Sequence, residues 1–190
     1  MNFDYKAPIN IAIVFENSTS RFWTTNAATP NYFVMSIPNS WFFGLNCFFK
    51  KEVTFNQSFL VEHSIIDASS YSTASSFFQS FFENKQFIYY YIYYFYHLKL
   101  KLNVVITPDF FDKVFSAETL YTNANWLERE SAEMYGVYFL NKKDHRKLLL
   151  DYSKIDSPML KDFGTEGVAD FFYNFFEEQV CFVQSEIVEL

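Results

Sequence analysis

The segment FIYYYIYYFYHL, residues 87 to 98, places the strongest constraint on what this chain can fold into. It contains no Lys, Arg, Asp or Glu, yet it is too short for a helix across a bilayer, which needs about 20 apolar residues. Its six tyrosines would also suit a lipid-facing helix poorly. Because aromatic and β-branched side chains fit the pleated surface of a sheet, the segment predicts a strand covered on both faces.

Weaker patterns on either side predict the elements that surround this strand. NSWFFGLNCFFKK, from residue 39, predicts a helix that Asn39 or Ser40 caps. Strand patterns recur in SFLVEHSII (58–66), in LKLNVVI (100–106, closed by Pro108) and in FSAETLY (115–121). The segment from Phe77 to Lys85 fits either a helical turn or a loop.

The order of these elements predicts an α+β fold in which an N-terminal helix packs on a mostly antiparallel sheet, followed by short helices and an extended C-terminal tail. We expect an irregular N-terminal arm over residues 1–38, an α+β domain over 39–140 and an extended C-terminal docking segment over 141–190. From Gly164 onward the tail carries six acidic residues and no Lys or Arg, whereas KKDHRK (142–147) is basic. Charge spread so unevenly indicates docking against a partner.

Composition restricts which partners the chain can bind and indicates the kind of genome that encodes it. The net charge of −7 argues against nucleic acid as a partner. Cys47 and Cys181 lack the spacing of a metal or redox motif, so we expect two buried free thiols. The 26 Phe and 14 Tyr residues, with only 4 Gly, suggest an AT-rich genome such as many mitochondrial genomes. The N-terminus resembles no export signal or transit peptide, so a mitochondrial protein of this sequence would be made inside the organelle.

The stretch NWLERESAEMYGVYFLNKKDHRKLLLDY, residues 125–152, differs from the rest of the chain because charges of both signs crowd between apolar residues. Asn125 and Glu128 have the spacing of a helix N-cap with its reciprocal carboxylate, and Gly136 suits the C-terminal end. A helix of about ten residues is unstable alone, so it must be held by packing. We expect Trp126, Leu127 and Met134 to form its apolar stripe.

The charged residues of this helix allow a structural or a catalytic interpretation. Arg129 and Glu133 stand at i,i+4, and the guanidinium of Arg129 suits bidentate bonds to a carboxylate or to backbone carbonyls. Glu130 and Glu133 at i,i+3 could instead form the carboxylate pair of a hydrolase. His63, His97 and His145 are too scattered to predict a metal site. A third possibility is a membrane-surface module that uses exposed aromatics and KKDHRK.

The same stretch resembles the signature of a known family: NADH dehydrogenase subunit nine, the NuoC-type or 30-kilodalton subunit of respiratory complex I. The family pattern is close to NW-x-ERE-x-x-DM-[FY]-G-[IV]-x-F, then GHPDLRRIL-x-DY, then GHPLRKDFPL. The matching residues that we expect to carry the signature and partner docking are Trp126, Glu128, Arg129, Glu130, Met134, Tyr135, Gly136, Asp144, Arg146, Asp151, Tyr152, Pro158, Lys161 and Asp162. Asn125, Val137, Phe139, Leu149 and Phe163 also match, and Glu133 replaces Asp.

The likeness covers about residues 39–190, with an insertion near 72–86, and it includes Asp67, which sits like the Asp that closes a family turn. The family's Gly-His-Pro is replaced by Asn141, Lys142 and Lys143, and its second His by Ser157. These departures weaken any claim of proton chemistry in this chain.

The resemblance implies a core structural subunit of the quinone module that supports electron transfer from NADH to ubiquinone and binds no cofactor itself. Its partners would be the large quinone-site subunit and the iron–sulfur subunits. FMN, the iron–sulfur clusters and ubiquinone would belong to those neighbours. The expected location is the matrix-facing peripheral arm at the mitochondrial inner membrane, with only indirect membrane contact.

Overall fold

The structure is a computed structural model, and it describes residues 21–24, 32–69, 86–109, 112–152, 157–164, 167 and 169–184. The strands are β1 (Arg21–Thr24), β2 (Tyr32–Ile37), β3 (Ser58–Asp67), β4 (Phe87–Phe95), β5 (Leu100–Ile106), β6 (Val114–Phe115), β7 (Phe139–Leu140), β8 (Ala169–Asn174) and β9 (Gln179–Gln184). The helices are a 3₁₀ turn (Asn39–Trp41), α1 (Phe42–Lys51) and α2 (Ala124–Tyr135).

The first five strands form one sheet in the order β1-β2-β5-β4-β3. Every neighbouring pair in it is antiparallel except β2 and β5, which run parallel. The predicted α+β class with a mostly antiparallel sheet is therefore confirmed. The prediction that residues 1–38 are irregular is wrong for β1 and β2, because β2 finds a full parallel ladder on β5 that local sequence does not reveal.

Strand β4 lies next to the edge strand β3 and supplies the centre of the core. Tyr89, Tyr91, Tyr93 and Phe95 are buried, while the alternating residues between them are half-buried. The aromatic segment is thus a strand, as predicted. Its two faces differ, since only one is fully covered, and the strand ends at Phe95 because residues 96–99 turn the chain back into β5.

Helix α1 covers the inner face of this strand. Phe42 packs on Tyr91 in a tilted arrangement with ring centroids 4.4 Å apart, and Phe49 meets Tyr93 and Phe95 edge-on at 5.3 and 5.0 Å. Edge-to-face aromatic pairs of this kind contribute roughly 0.5–1.5 kcal/mol beyond their buried area. The helix confirms the prediction from residue 39, but no side chain caps its start, and Asn39 instead donates to the carbonyl of Lys113.

Strand β3 confirms the predicted strand at 58–66, with one irregularity. The register with β4 shifts between Leu60 and Glu62, which is a β-bulge. An extra residue in one strand reverses which side chains face the core. Leu60 and His63 are consequently both buried, although strict alternation would place them on opposite faces.

Three further expectations need correction. Residues 115–121 are not a strand: only Val114 and Phe115 pair, and the chain then turns before α2. The thiols of Cys47 and Cys181 are free but half-buried rather than buried. The C-terminal region is not simply extended, because β8 and β9 pair as an antiparallel hairpin.

The segment 77–85 and nearly all of the predicted insertion lie outside the described residues. Among the described residues, no helix has the length and apolar character that crossing a membrane requires.

Candidate functional site

Helix α2, called the signature helix from here on, carries most of the charged residues that the sequence singles out. It ends at Gly136, whose φ of +67° is the left-handed conformation that glycine adopts without strain. Its start differs from the prediction: the helix begins at Ala124, and the residue before it, Asn123, caps it with no side-chain hydrogen bond. The Asn125–Glu128 capping box does not form because Glu128 points into the protein.

Glu128 is completely buried and joins the signature helix to the turn that precedes it. Its carboxylate accepts hydrogen bonds from the Ser116 hydroxyl and from the Ala117 N–H, the latter at 2.8 Å. The ammonium of Lys142, with 1% of its side chain exposed, lies 3.3 Å away. Burial raises the pKa of Glu128 above its usual value, while Ser116, Ala117 and Lys142 oppose that rise.

Arg129 and Glu133 lie one helical turn apart and both bind the backbone of one segment, residues 144–150, which we call the clamped loop. The guanidinium of Arg129 donates to the carbonyl oxygens of Arg146 and Lys147 at 2.8 and 3.2 Å. The carboxylate of Glu133 accepts from the N–H groups of residues 148, 149 and 150 at 2.8, 2.8 and 3.3 Å. The expected bidentate role of Arg129 toward backbone carbonyls is confirmed, and the helix satisfies both donors and acceptors of the loop.

A surface ion pair joins two residues at the N-terminal end of the clamped loop. Arg146 donates to both oxygens of Asp144, at 3.0 and 2.8 Å, and Arg129 lies 3.6 Å from the same carboxylate. The hydrogen bonds from Arg146, together with the charge of Arg129, hold the pKa of Asp144 well below its usual range. Arg146 itself is exposed.

The third part of the signature is tied to the end of the helix and to β3 through backbone groups. The N–H of Met159 donates to the carbonyl of Met134 at 3.1 Å. The N–H of Lys161 donates to the carboxylate of Asp67, the last residue of β3, at 3.1 Å. The second and third parts of the signature therefore both contact the signature helix, and the third part also contacts the end of β3.

The remaining predicted residues divide between support and surface. Tyr135 is buried and meets Phe87 edge-on at 6.4 Å. Trp126 is 62% exposed, so the prediction that it belongs to the apolar stripe is wrong; the Arg129 guanidinium lies 5.8 Å from its ring. Pro158 is half-buried, whereas the exposed residues are Glu130, Asp151, Tyr152, Lys161 and Asp162.

The proposed carboxylate pair occupies two different environments. Both oxygens of Glu133 accept backbone N–H groups, and that residue is buried, whereas Glu130 is exposed. A cavity of about 210 Å³ between β3 and the signature helix is lined by Glu130 and His63 but not by Glu133. The described residues contain no cluster of three or more His, Cys, Asp or Glu side chains that could hold a metal ion.

Lys142 is another residue whose position differs from what the sequence predicts. The membrane-surface hypothesis requires the cations of KKDHRK to be exposed, yet the Lys142 ammonium is buried between Glu128 and Glu118, 3.7 Å from the latter. It also donates to the carbonyl of Asn125 at 3.0 Å. Two cations of this run are therefore not available to bind a membrane surface: Lys142 is buried, and Arg146 is paired with Asp144.

His63 is a further buried polar group, at 3% exposure. Its ring stacks on Tyr91 with centroids 4.1 Å apart, and Nδ1 lies 3.1 Å from the carbonyl oxygen of Tyr90. Because a carbonyl oxygen only accepts, Nδ1 carries the hydrogen. Burial lowers the pKa of His63 to about 3, so the ring is neutral at physiological pH.

Comparison with known proteins gives a consistent picture. The family model for the respiratory-chain NADH dehydrogenase 30 Kd subunit matches residues 44–169. The chain is 35% identical to NADH-ubiquinone oxidoreductase subunit 9 of Paramecium primaurelia, over 96% of this chain and 87% of the relative. Subunit 9 of Paramecium tetraurelia is 33% identical with the same coverage.

Bacterial relatives match a shorter part. A subunit of the NADH-quinone oxidoreductase of Neisseria meningitidis serogroup B is 37% identical over 81 residues, which cover 43% of this chain and 40% of that protein. A solved structure of the membrane-bound sulfane sulfur reductase, an archaeal respiratory membrane complex, contains a similar chain with a TM-score of 0.63. That match covers 85% of this chain and 87% of the other, at 15% identity, so it concerns the fold alone.

Proposed function

The chain belongs to the family of the 30 Kd subunit of respiratory-chain NADH dehydrogenase, and from that membership we propose that it is a core structural subunit of the quinone module. It is a subunit of the multisubunit NADH–quinone oxidoreductase, as its relatives are by name. In this proposal it supports electron transfer from NADH to ubiquinone without binding a cofactor itself, by building a rigid docking surface.

The clamp made by Arg129 and Glu133 is the observation that supports a structural role most directly. Both side chains direct their charge at backbone groups of the clamped loop, through five hydrogen bonds. Hydrogen bonds to charged groups are stronger than those between neutral groups, and five of them between one helix and one loop favour a single loop conformation. A loop without regular secondary structure that is held this firmly suits the recognition of a fixed partner.

The same surface suggests where a partner would lie. Leu149 lies in the clamped loop and is 61% exposed, and Tyr152 lies two residues after the loop and is 69% exposed. Trp126 is exposed on the signature helix. Aromatic residues and arginine are enriched at protein interfaces. We propose that this surface binds the large quinone-site subunit or an iron–sulfur subunit, and that FMN, the iron–sulfur clusters and ubiquinone reside in those neighbours.

The location follows from the same proposal. The chain would sit in the matrix-facing peripheral arm at the mitochondrial inner membrane and touch the membrane only through its partners. The composition rich in Phe and Tyr supports synthesis within the organelle, and the net charge of −7 supports a protein partner over nucleic acid.

Native-gel separation of gently solubilised membranes, followed by mass spectrometry of the band with NADH dehydrogenase activity, tests the proposal. We expect the chain in that band at one copy per complex. We also expect Arg129→Ala to deplete the assembled complex, because the clamped loop loses two of its bonds to the helix. Lys51→Ala, which removes an exposed cation from the end of α1, is the matched control and should assemble normally.

Two results would contradict the proposal in different ways. Recovery of the wild-type chain only as a free protein would remove it from the complex altogether. Normal abundance and normal NADH–quinone activity of the Arg129→Ala complex would keep the chain in the complex but refute a structural role for the clamp.

A further inference from the structure

The C-terminal hairpin exposes a dense group of large apolar side chains. Strands β8 and β9 pair only with each other, and residues 175–178 join them. Seven large apolar side chains of this short segment are between 47% and 83% exposed, and Phe176 at the turn is 99% exposed. A two-stranded hairpin is at best marginally stable in water, so it needs a surface to pack on.

One face of the hairpin carries only large apolar or aromatic side chains at its central positions. Phe171 opposes Phe182, and Tyr173 opposes Val180. Because alternate residues of a strand share a face, these four side chains lie together. The rings of Phe171 and Phe182 are 4.4 Å apart, and we call this surface the apolar hairpin face.

The other face has a different character. It carries Phe172, Cys181 and Val183, but also Asp170, Asn174 and Gln179 at the remaining positions. On that other face Cys181 and Asn174 are half-buried and Phe172 and Val183 are 49% and 47% exposed, whereas Phe171, Val180 and Phe182 on the apolar hairpin face are 60–66% exposed. The covering surface therefore meets the face of Phe171, Tyr173, Val180 and Phe182.

The charges of the hairpin restrict what can cover that face. Residues 169–184 contain Asp170, Glu177 and Glu178 and no Lys or Arg, and both glutamates are exposed in the turn beside Phe176. A second copy of this hairpin would bring like charges together, and an anionic lipid surface would repel the same acidic turn. A protein surface with an apolar centre and Lys or Arg at one edge complements both features.

We propose that the apolar hairpin face docks into an apolar groove on another subunit of the same respiratory complex, with Glu177 and Glu178 facing Lys or Arg side chains at the edge of that groove. This inference rests on the proposed function, because it takes its partner from the complex. It specifies, beyond that function, which face of the chain is covered and the chemistry of the surface that covers it.

Paired substitutions in the full-length chain test which face is used. Phe171→Ser with Phe182→Ser removes the centre of the apolar hairpin face, and we expect the fraction of chain in the assembled complex to fall roughly tenfold, since a few buried aromatic residues dominate the affinity of an interface. The matched control, Phe172→Ser with Val183→Ser, removes two large side chains from the opposite face and should assemble like the wild type. Equal loss from both pairs, or no loss from either, would overturn the proposal.

A second variant and a cross-linking measurement cover the case in which the serine substitutions only unfold the hairpin. Glu177→Lys with Glu178→Lys leaves both strands intact and should also reduce assembly, more at low salt than at high salt. A photoreactive phenylalanine at position 171 of the assembled complex should cross-link to one subunit near a Lys or Arg. Cross-links confined to lipid, to this chain or to a second copy of it would refute the partner assigned here.

The outcomes separate this inference from the proposed function. If the wild-type chain is absent from the NADH-oxidising complex, the proposed function fails and the inference fails with it. If the wild-type chain is present but the two faces behave alike, the proposed function stands and only the docking face is wrong.

Discussion

The signature helix buries charge, whereas the C-terminal hairpin exposes apolar surface. On the helix, Glu128 and Glu133 are buried, and their oxygens accept hydrogen bonds from neighbouring turns and loops of the same chain. On the hairpin, Phe171 and Phe182 are about two-thirds exposed. The charges of the helix are thus satisfied within the chain, while the hairpin presents apolar surface that no other described residue of the chain covers.

This contrast indicates what each region needs for its stability. Buried charges are tolerated only when they are paired and hydrogen-bonded, so substitutions in the helix should destabilise the isolated chain. Exposed apolar side chains contribute little to the folded monomer, so substitutions in the hairpin should act on assembly instead. The following predictions test the contrast through the free energy of unfolding of the 190-residue chain.

Glu128→Ala should have the largest effect, a loss of about 3–5 kcal/mol, because it leaves the buried Lys142 ammonium without its nearest carboxylate. Chemical denaturation of both proteins measures this loss. The double variant Glu128→Gln with Lys142→Met should recover part of it, since no buried charge remains. A loss below about 1 kcal/mol for Glu128→Ala would show that water reaches the pair.

Glu133→Ala should reduce stability by about 2–3 kcal/mol, because three backbone N–H groups of the clamped loop lose a charged acceptor. Hydrogen exchange at residues 148–150 should also become faster. Glu130→Ala, which alters an exposed carboxylate on the same helix, is the control and should stay within about 0.5 kcal/mol of the wild type. Equal losses from both variants would contradict the distinction between clamp and surface.

The pH dependence of stability should report the burial of His63. The unfolded chain binds a proton at this histidine near its ordinary pKa of 6.5, whereas the folded chain does so only near a pKa of about 3. The contribution of His63 to the free energy of unfolding is therefore fully present above pH 6.5, and it is lost as the pH falls toward 3. Between about pH 7.5 and pH 5 the loss should be about 2 kcal/mol, and His63→Gln should lack this component. Parallel pH profiles for the two proteins would contradict the buried neutral ring.

Gly136→Ala should cost about 1–2 kcal/mol, because the left-handed conformation at this position disfavours a side chain. A Cβ atom there would also lie 2.7 Å from the Ser157 hydroxyl oxygen, which is closer than the two atoms can approach. Thermal unfolding in a Ser157→Ala background separates the two causes. A smaller loss in that background is expected, and an unchanged loss would mean that Ser157 moves aside without penalty.

Phe176→Ser should have the smallest effect, within about 0.5 kcal/mol, because the side chain is 99% exposed at the turn of the hairpin. Its unfolding curve should overlay that of the wild-type chain. A loss above about 1 kcal/mol would show that the hairpin packs on its own chain, and the comparison with the signature helix would then fail.

Local sequence was sufficient wherever neighbouring residues alone set the conformation. Strands β3, β4 and β5 follow from β-branched and aromatic runs, α1 from its apolar spacing, and the end of the signature helix from Gly136. Local sequence was insufficient for β2, whose partner β5 begins more than 60 residues later. The bulge in β3 also escapes pattern reasoning, because periodicity assumes an unbroken register.

From the amino-acid order alone it follows that this chain folds around an aromatic strand, carries a short charged helix ending at Gly136 and bears the signature of its family. How the charges are used depends on the folded arrangement: Glu128 and Lys142 meet in the core, and Glu133 holds a distant loop. This dependence arises because a charge is buried only where partners from other segments satisfy it. Those partners, such as Ser116, Ala117 and the loop amides, approach the helix only when the chain is folded.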